Sequence, residues 1–450
     1  MIVRRAVLVA TLIAGILTGA PAAAAPPACT APVPSDTRPG YLIADPDCEL
    51  NGTPFTALDG ATVHTGVRGG AAYRVEVPQR WNGRLVVYAH GYRGTGTTVY
   101  VSNPDLRAHY ISRGFAWAAS SYATNGYDVG QGVRDTYALI DVFRTVTGKH
   151  ARKVYISGAS MGGHVTAVAI EEHPRAFDGA MPYCGVLGDT ELFDYFLDAS
   201  VTASALTGVP IEFPARPDAA YPARWAGQVA AMRTALTGTE AGETWSDVLE
   251  RRSGGERPGF GAAYAYWNAA SQNGLPFLFS VYPGLTGGTA GIAPGNVTDN
   301  RHTVYQADDR WWLSPAERRL NATVLRVKRT ATADPGLAGI PRVDGRPPVP
   351  VLSLHGLGDL FVPFSMEQEY ARRALVNGRS RLFVSRAIRD VTHCGFTQAE
   401  LTRGFDDLVT WVERGHRPPG DAILDRRAVA SAVFGCRFTS AVRTGQAPCP

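Results

Sequence analysis

The sequence predicts an α/β fold with a mostly parallel central sheet, helices on both faces of the sheet, and a large insertion. Two observations favour this fold. Short apolar runs of strand length alternate with segments that carry apolar residues at helical spacing, first over residues 71–186 and again over 349–414. Most of these runs are apolar throughout, which is typical of parallel strands covered on both faces. Between the two regions the alternation is lost.

The first region predicts strands and helices in alternation. Its opening run, AAYRVEVP, alternates like a half-buried strand, and the later runs are apolar and short. Gly114 and Gly148 follow two of the helical segments and are typical helix stops. The predicted strands are residues 71–78, 84–89, 115–122, 153–157 and 177–186, and the predicted helices are residues 105–113, 129–146 and 160–172.

The second region repeats the pattern after the insertion. It predicts strands over 349–354 and 381–387, each followed by a helix, over 365–375 and 398–414 respectively. We therefore divide the chain into four parts, expecting the insertion to form a cap over the carboxyl edge of the sheet. These are a signal peptide (1–25), the first part of the core (26–186), the cap or lid insertion (187–346), and the second part of the core with a C-terminal tail (347–450).

The N-terminus has the pattern of a secretory signal. Positive charge in the first five residues is followed by an apolar run and then by small residues that end near Ala25. The apolar run is too short to span a membrane, which needs about 20 residues. We expect a secreted protein, exported by the general route or, given Arg4 and Arg5, by the twin-arginine route.

Composition and charge limit the classes of binding partner that we expect. With 45% hydrophobic and 19% charged residues, the chain is globular rather than disordered. The 44 basic and 40 acidic residues nearly balance, which gives no reason to expect nucleic acid or an anionic membrane as a partner. No segment after the signal is long and apolar enough for a membrane span, and the oligomeric state is left open.

The strongest motif is Gly158-Ala159-Ser160-Met161-Gly162, a G-x-S-x-G pattern. It stands between a predicted strand and a predicted helix, the context in which this motif presents a nucleophilic serine on a sharp turn. Flanking side chains at the glycine positions would clash with neighbouring backbone. The amide of Met161, at the start of the helix, is expected to hold an oxyanion.

A serine nucleophile needs a base that is oriented by a third group. His393 follows the last predicted strand, and Asp359 follows the strand before it, so all three residues fall at the carboxyl edge of the sheet. Their order along the chain, Ser160, Asp359 and His393, predicts a catalytic triad. Asp189 is an alternative acid, and His355 is expected to be structural.

Other strand ends supply the remaining candidates. His90 and Gly91 follow the strand 84–89, where a His-Gly step commonly begins an oxyanion loop, and we assign the second oxyanion amide to Tyr92. An ordinary turn is the alternative for this segment. The tryptophans of the insertion are expected either to form the core of the cap or to line an aromatic substrate surface; they are Trp225, Trp245, Trp267, Trp311 and Trp312.

These motifs resemble the α/β-hydrolase superfamily over residues 71–186 and 349–414. Within it the chain looks most like secreted bacterial serine esterases and polyester depolymerase-like hydrolases, and the P-x-x-W-N-G-R run that begins at Pro78 is similar to the tannase and feruloyl esterase group. That group has a cysteine directly before the nucleophile, bonded to the cysteine after the catalytic histidine. Here Ala159 precedes Ser160, although Cys394 does follow His393.

The six cysteines all lie beyond the signal, with no spacing typical of a zinc site, which favours disulfides in an oxidising compartment. Six cysteines allow fifteen pairings. Because of the resemblance, we hypothesise that Cys184 supplies the missing partner of Cys394 and holds the histidine loop. Other pairings stay open, and the remaining pairs in this hypothesis are local, Cys29 with Cys48 and Cys436 with Cys449.

The expected function is the hydrolysis of carboxylic esters, on a small or polymeric substrate, through an acyl-enzyme and without a metal or organic cofactor. A secreted serine peptidase similar to prolyl oligopeptidases is the first alternative, because the same triad cleaves amides on this fold. A non-catalytic binding protein on a hydrolase scaffold is the second.

Overall fold

A computed structural model describes residues 28–212, 218, 220–272, 296–308, 310–330, 340–443, 446 and 449 of the chain. The predicted signal peptide, residues 1–25, lies outside the described residues. No helix within the described ranges has the length and apolar character needed to cross a membrane.

The strands form one large sheet and one small one. In chain order they are β1 (Val33–Pro34), β2 (Leu42–Ile43), β3 (Ala61–Arg68), β4 (Ala71–Pro78), β5 (Arg84–Ala89), β6 (Thr98–Val99), β7 (Ala116–Ser120), β8 (Lys153–Ala159), β9 (Gly179–Tyr183), β10 (Val351–Gly356) and β11 (Phe383–Ile388). Strands β1, β2 and β6 make a separate three-stranded sheet, and the other eight make the central sheet in the order β11-β10-β9-β8-β5-β7-β4-β3.

The central sheet is mostly parallel. Strands β7, β5, β8, β9, β10 and β11 pair in parallel, whereas β4 runs antiparallel to both of its neighbours, β3 and β7. The carboxyl ends of the six parallel strands therefore meet at one edge of the sheet. This order of strands, with one reversed strand near the end of the sheet, confirms the predicted α/β-hydrolase fold.

Helices cover both faces of the central sheet. In chain order, the helices of the described residues are α1 (Arg107–Ser112), α2 (Val129–Thr147), α3 (Met161–Glu172), α4 (Glu191–Thr207), α5 (Tyr221–Leu236), α6 (Glu240–Arg252), α7 (Phe260–Gln272), α8 (Pro315–Thr323), α9 (Ser365–Val376), α10 (Gln398–Arg414) and α11 (Arg426–Ala430). Along β5, Val87 packs into the core formed with α2, α3 and α9, and Val86 packs into the core formed with α1 and α10. This alternation is why β5 is apolar at nearly every position.

Helix ends follow the local signals in the sequence. Helix α2 begins where the Asp128 carboxylate accepts the amide of Gln131, and it ends at Gly148 in the left-handed conformation. Helix α10 begins at a capping box formed by Thr397 and Glu400 and ends at Gly415. The bounds predicted for α10 are therefore confirmed. Helix α1 is shorter than the predicted 105–113.

The prediction that β4 is half-buried is wrong. Its polar residues Arg74 and Glu76 are both fully buried. The Arg74 guanidinium donates to the carbonyls of Pro46 and Cys48, and Glu76 accepts from Arg107 and from the indole of Trp117. Charged groups can be buried when they are paired and hydrogen-bonded. Here the N-terminal segment supplies the partners of Arg74, and α1 and β7 supply those of Glu76. Strand β3, which no sequence pattern predicted, pairs along the whole of β4.

Helices α4 to α8 lie between β9 and β10 in the sequence, and we call them the helical insertion. Helix α4 contacts α5, α6 and α8, so the insertion has a packed interior of its own. Of its five tryptophans, Trp225, Trp245 and Trp267 are buried, whereas Trp311 and Trp312 are exposed. The three buried tryptophans belong to the large core that includes residues of the sheet, rather than to a separate core of the insertion, and the other two lie at the surface.

Three disulfides join all six cysteines. They are Cys29–Cys48, Cys184–Cys394 and Cys436–Cys449. Two of them close short segments, and Cys184–Cys394 links residues separated by 210 positions in the sequence. Disulfides of this number are typical of proteins from oxidising compartments.

Candidate active site

Ser160 occupies a sharp turn between β8 and α3. Its backbone has φ +58° and ψ −120°, a conformation that residues with a side chain rarely adopt. The turn is held because the Ser160 amide donates to the Tyr183 carbonyl of β9 at 3.1 Å, and the Ser160 carbonyl accepts the Gly163 amide at 2.8 Å. The serine therefore stands at the carboxyl edge of the sheet, at the N-terminus of a helix.

The glycines around Ser160 are required by close backbone contacts. A Cβ atom on Gly162 would lie 2.0 Å from the carbonyl oxygen of Ala89 on β5, and one on Gly158 would lie 2.2 Å from the carbonyl oxygen of Gly162. A Cβ atom on Gly163 would lie 2.5 Å from the Cα of Gly185. Only hydrogen fits at these positions, so the glycines are required by packing of the turn against β5, against the start of α3 and against the segment after β9.

The structure brings Ser160, His393 and Asp359 together. The Nε2 atom of His393 lies 2.8 Å from the Oγ of Ser160, and its Nδ1 atom lies 2.6 Å from Oδ2 of Asp359. The Asp359 side chain is fully buried, and that of His393 is 21% exposed. The residues come from the ends of β8, β10 and β11, and this geometry can carry a proton from the hydroxyl to the imidazole.

Asp359 is fixed by its own loop. Its Oδ1 atom accepts the amides of Phe361 and Val362, each at 3.0 Å, which leaves Oδ2 for His393. Backbone donors of this kind stabilise the charged carboxylate and hold its orientation. Sequence reasoning located the aspartate but had no signal for these two amides.

The Cys184–Cys394 disulfide reaches the histidine loop directly. Cys394 is the residue after His393, and Cys184 follows β9, where its amide donates to the Leu354 carbonyl of β10. Both cysteines have positive φ, +44° and +60°. The two sulfur atoms and the His393 imidazole lie close enough to suggest a metal site, but sulfur atoms joined in a disulfide are not thiolate ligands.

The segment after β5 passes beside the side chain of Ser160. A Cβ atom on Gly91 would lie 3.2 Å from the Cβ of Ser160 and 3.7 Å from its Oγ, so the backbone at Gly91 passes directly beside the hydroxyl. The next residue is Tyr92, whose side chain is 39% exposed. Across the hydroxyl, Met161 is the first residue of α3, where amides have no acceptor within the helix.

His90 holds this segment in place through contacts of its imidazole ring. It stacks on Tyr122, with ring centroids 3.8 Å apart, and its two nitrogens face the carbonyls of Gly91 and Ser121. Burial, together with the charge of Arg93, lowers the pKa of His90 well below its usual value. Both ring nitrogens contact backbone carbonyls, so we assign His90 a structural role.

Two other histidines lie away from the reacting atoms. His164 on α3 is buried between the Tyr127 hydroxyl and the Pro341 carbonyl, and burial lowers its pKa. His355 on β10 faces Glu367, with Nδ1 3.3 Å from Oε1, and its Nε2 faces the Val362 carbonyl. Burial alone would lower the pKa of His355, but the hydrogen bond to Glu367, the charges of Glu367 and Asp359 and the hydrogen bond to the Val362 carbonyl together outweigh it, and the pKa is raised. His355 supports the loop that carries Asp359, as expected.

Asp189, the alternative acid, is bound elsewhere. Its Oδ2 atom lies 2.5 Å from the Arg373 guanidinium and accepts the Val343 amide, and its Oδ1 atom accepts the Thr190 amide. The His393 imidazole bonds to Asp359 instead. The structure therefore favours the first of the two predicted acids.

Two aromatic residues of the insertion, Trp267 and Phe193, pack against aromatic residues near the site. The Phe361 ring lies edge-on to His393, with centroids 5.3 Å apart, and Trp267 of α7 lies nearly parallel to Phe361. On the other side, Phe193 of α4 contacts Tyr127. No residue spacing in the insertion indicated these contacts, because they depend on how α4 and α7 dock against the core.

Comparison with known proteins gives three findings. A model of the prolyl oligopeptidase family matches residues 107–217. The o-phthalyl amidase of Xanthobacter agilis is 23% identical over 430 residues, covering 81% of this chain and 89% of that protein. Among solved structures, feruloyl esterase B from Aspergillus oryzae matches at 15% identity with a TM-score of 0.45, over 88% of this chain and 86% of the other.

A second solved structure, an esterase from Aspergillus oryzae, matches at 15% identity with a TM-score of 0.43 and covers 80% of each chain. The central sheet, the turn at Ser160 and the family-model match agree with one another. Together they place the chain in the α/β-hydrolase fold and make it similar to the hydrolases of that superfamily.

Proposed function

We propose that the protein is a secreted hydrolase of carboxylic esters, with Ser160 as nucleophile, His393 as base and Asp359 as the orienting acid. The observation that carries the proposal is the hydrogen-bonded chain from the Ser160 hydroxyl through the His393 imidazole to the buried Asp359 carboxylate. The predicted signal segment and the three disulfides support export.

The reaction proceeds in two halves. The Ser160 Oγ attacks the ester carbonyl carbon while its proton passes to Nε2 of His393, and the amides of Met161 and Tyr92 hold the resulting oxyanion. The C–O bond then breaks, and His393 gives its proton to the departing alcohol. A water molecule next attacks the acyl-enzyme, losing its proton to His393, and Ser160 recovers that proton as the acid leaves.

Two similarities favour an amide substrate as the second candidate. One is the relative named an o-phthalyl amidase, and the other is the match to the prolyl oligopeptidase family model. The same triad cleaves C–N bonds, with the amine leaving in place of the alcohol. Ester and amide hydrolysis therefore have to be separated by experiment.

The test compares p-nitrophenyl esters with anilides of matched acyl groups, including peptidyl and phthalyl anilides. The full chain, secreted by a host, is assayed beside Ser160→Ala, which we expect to lose several orders of magnitude in kcat. Ser157→Ala is the matched control, because it removes a buried hydroxyl of the same strand that donates to the Met181 carbonyl.

Ester turnover that disappears only in Ser160→Ala supports the esterase. Anilide turnover that is also lost in Ser160→Ala would show that the protein is an amidase or a peptidase. Ester turnover that survives in Ser160→Ala would contradict the assignment of the nucleophile, and silence on all substrates would favour the non-catalytic alternative.

A further inference from the structure

Two loops carry the acid and the base of the proposed triad. We call residues 357–362 the acid loop and residues 389–394 the histidine loop. They meet where the Gly358 amide donates to the Asp390 carbonyl at 2.8 Å. The distance between Asp359 and His393 therefore depends on how these loops are held against each other.

Trp267, on helix α7 of the insertion, bridges the two loops. Its indole N–H lies 3.0 Å from the Gly358 carbonyl oxygen and 2.7 Å from the Val391 carbonyl oxygen. Gly358 is the residue before Asp359, and Val391 is two residues before His393. The Trp267 side chain is 7% exposed, so its donor acts in a site from which water is largely excluded.

The same helix is seated against the acid loop at a second point. A Cβ atom on Gly358 would lie 2.9 Å from the Cβ of Ala263, which stands one helical turn before Trp267. Just before the helix, the buried Arg257 donates from Nε to the Leu357 carbonyl at 2.7 Å. Burial lowers the pKa of Arg257 to about 10. Helix α7 thus follows the acid loop closely.

We propose that Trp267 is a positioning residue, whose indole N–H sets the spacing of the acid and histidine loops and thereby the Asp359–His393–Ser160 alignment. This inference rests on the proposed function. It differs from a role in packing, because it assigns the effect on turnover to one hydrogen-bond donor. A shift of about 1 Å in a catalytic group can cost about 100-fold in rate, so the loss of a shared donor has a measurable effect.

The indole has two properties, bulk and a donor, that substitutions separate. Trp267→Phe keeps most of the ring against Phe361 and removes the N–H. Trp267→His removes bulk but keeps an N–H, because imidazole Nε2 superimposes on indole Nε1. Trp267→Leu removes both. Trp245→Phe is the matched control, because Trp245 is equally buried in the insertion and donates to the Ala199 carbonyl at 3.0 Å.

The experiment measures kcat and KM for a p-nitrophenyl ester and the rate at which a fluorophosphonate modifies Ser160, followed by intact mass. We expect Trp267→Phe to lower kcat and the labelling rate by about 10- to 100-fold with KM little changed. Trp267→His should be faster than Trp267→Leu in both assays. Trp245→Phe should match the wild type, whatever its thermal stability.

A second readout is the low-field ¹H resonance of the proton between His393 and Asp359. We expect this proton to shift or to exchange faster with water in Trp267→Phe and not in Trp245→Phe. The positioning role is wrong if Trp267→His and Trp267→Leu are equally slow, because the rates then follow the loss of bulk and stability. It is also wrong if Trp267→Phe has the wild-type rates, because the N–H is then not needed. A wild-type protein that neither hydrolyses the ester nor is labelled at Ser160 would instead contradict the proposed function.

Discussion

Cys394 is bonded to Cys184 with their Cα atoms 5.2 Å apart, so the disulfide closes on the residue directly after His393. A crosslink restricts the unfolded chain more when the closed loop is longer. The loop here spans 210 positions, compared with 19 for Cys29–Cys48. We therefore expect the Cys184–Cys394 bond to affect both the stability of the fold and the placement of the imidazole.

Replacing Cys184 and Cys394 together by alanine should lower the free energy of unfolding by up to about 5 kcal/mol and should also lower kcat. The matched double replacement of Cys29 and Cys48 should cost up to about 3 kcal/mol and leave kcat unchanged. Urea unfolding and ester turnover measure the two effects. Equal kcat values in the two double variants would show that the disulfide does not position His393.

Asp359→Asn should lower kcat by about 10⁴-fold, because the amide cannot hold the imidazole in the orientation and tautomer that accept the Ser160 proton. Asp189→Asn is the control, since Asp189 was the other candidate acid and pairs with Arg373. It should lose about 1–3 kcal/mol of stability and keep its kcat. If Asp189→Asn lost kcat and Asp359→Asn kept it, Asp189 and not Asp359 would be the acid of the triad.

Gly162→Ala should abolish turnover and destabilise the fold, because its Cβ atom would lie 2.0 Å from the Ala89 carbonyl oxygen, which belongs to backbone that cannot move aside. Gly227→Ala on α5 is the control: its Cβ atom would meet nothing within 4 Å. There the change should stabilise the helix by up to about 1 kcal/mol. Thermal unfolding and ester turnover of both variants check the prediction, which an active Gly162→Ala protein would contradict.

The stability of the fold should fall as pH rises through neutrality. Burial raises the pKa of Asp194, on α4, from 3.8 to about 8. Between these values the folded protein holds a proton that the unfolded chain has released, so the free energy of unfolding falls by up to about 1.4 kcal/mol per pH unit from this one group. Asp194→Asn should flatten the slope measured by urea unfolding between pH 5 and pH 7.5.

Asp141→Asn is the control for that slope. Asp141 lies at the surface of α2, where hydrogen bonds from Arg68 and Arg144 lower its pKa. Because its pKa is lowered from the ordinary value, the substitution should leave the slope between pH 5 and pH 7.5 as in the wild type. If Asp194→Asn has the wild-type slope, the carboxyl of Asp194 is already ionised in the folded protein.

The sequence predicted the parts of the site that depend on local pattern. Ser160 was found because a turn between a strand and a helix demands glycine on both sides, and packing of that turn against β5 explains the demand. Asp359 and His393 were found because parallel strands end at one edge of the sheet. The helix over 398–414 was predicted from the resumed alternation of strands and helices, and the structure adds the capping residues at both of its ends.

The parts that were missed depend on contacts between distant segments. The burial of Arg74 and Glu76 follows from the N-terminal segment and α1, which supply partners that a strand pattern does not reveal. The contact of Trp267 with Gly358 and Val391 depends on the docking of α7. In a stretch without a regular pattern, the sequence does not distinguish a tryptophan that fills a core from one that bridges two loops.

Strands β9 and β10 are direct neighbours in the sheet, although the whole insertion separates them in sequence. The chain thus leaves and re-enters the core at one place, and insertions of other lengths fit there without any change of strand register. Evolution can exchange such a module freely as far as the topology is concerned. If the donor on α7 acts as we propose, chemistry limits this freedom, because a replacement module must supply its own group for the two loop carbonyls. The fold then accepts many different insertions at this place, whereas the reaction requires an insertion that provides one N–H donor.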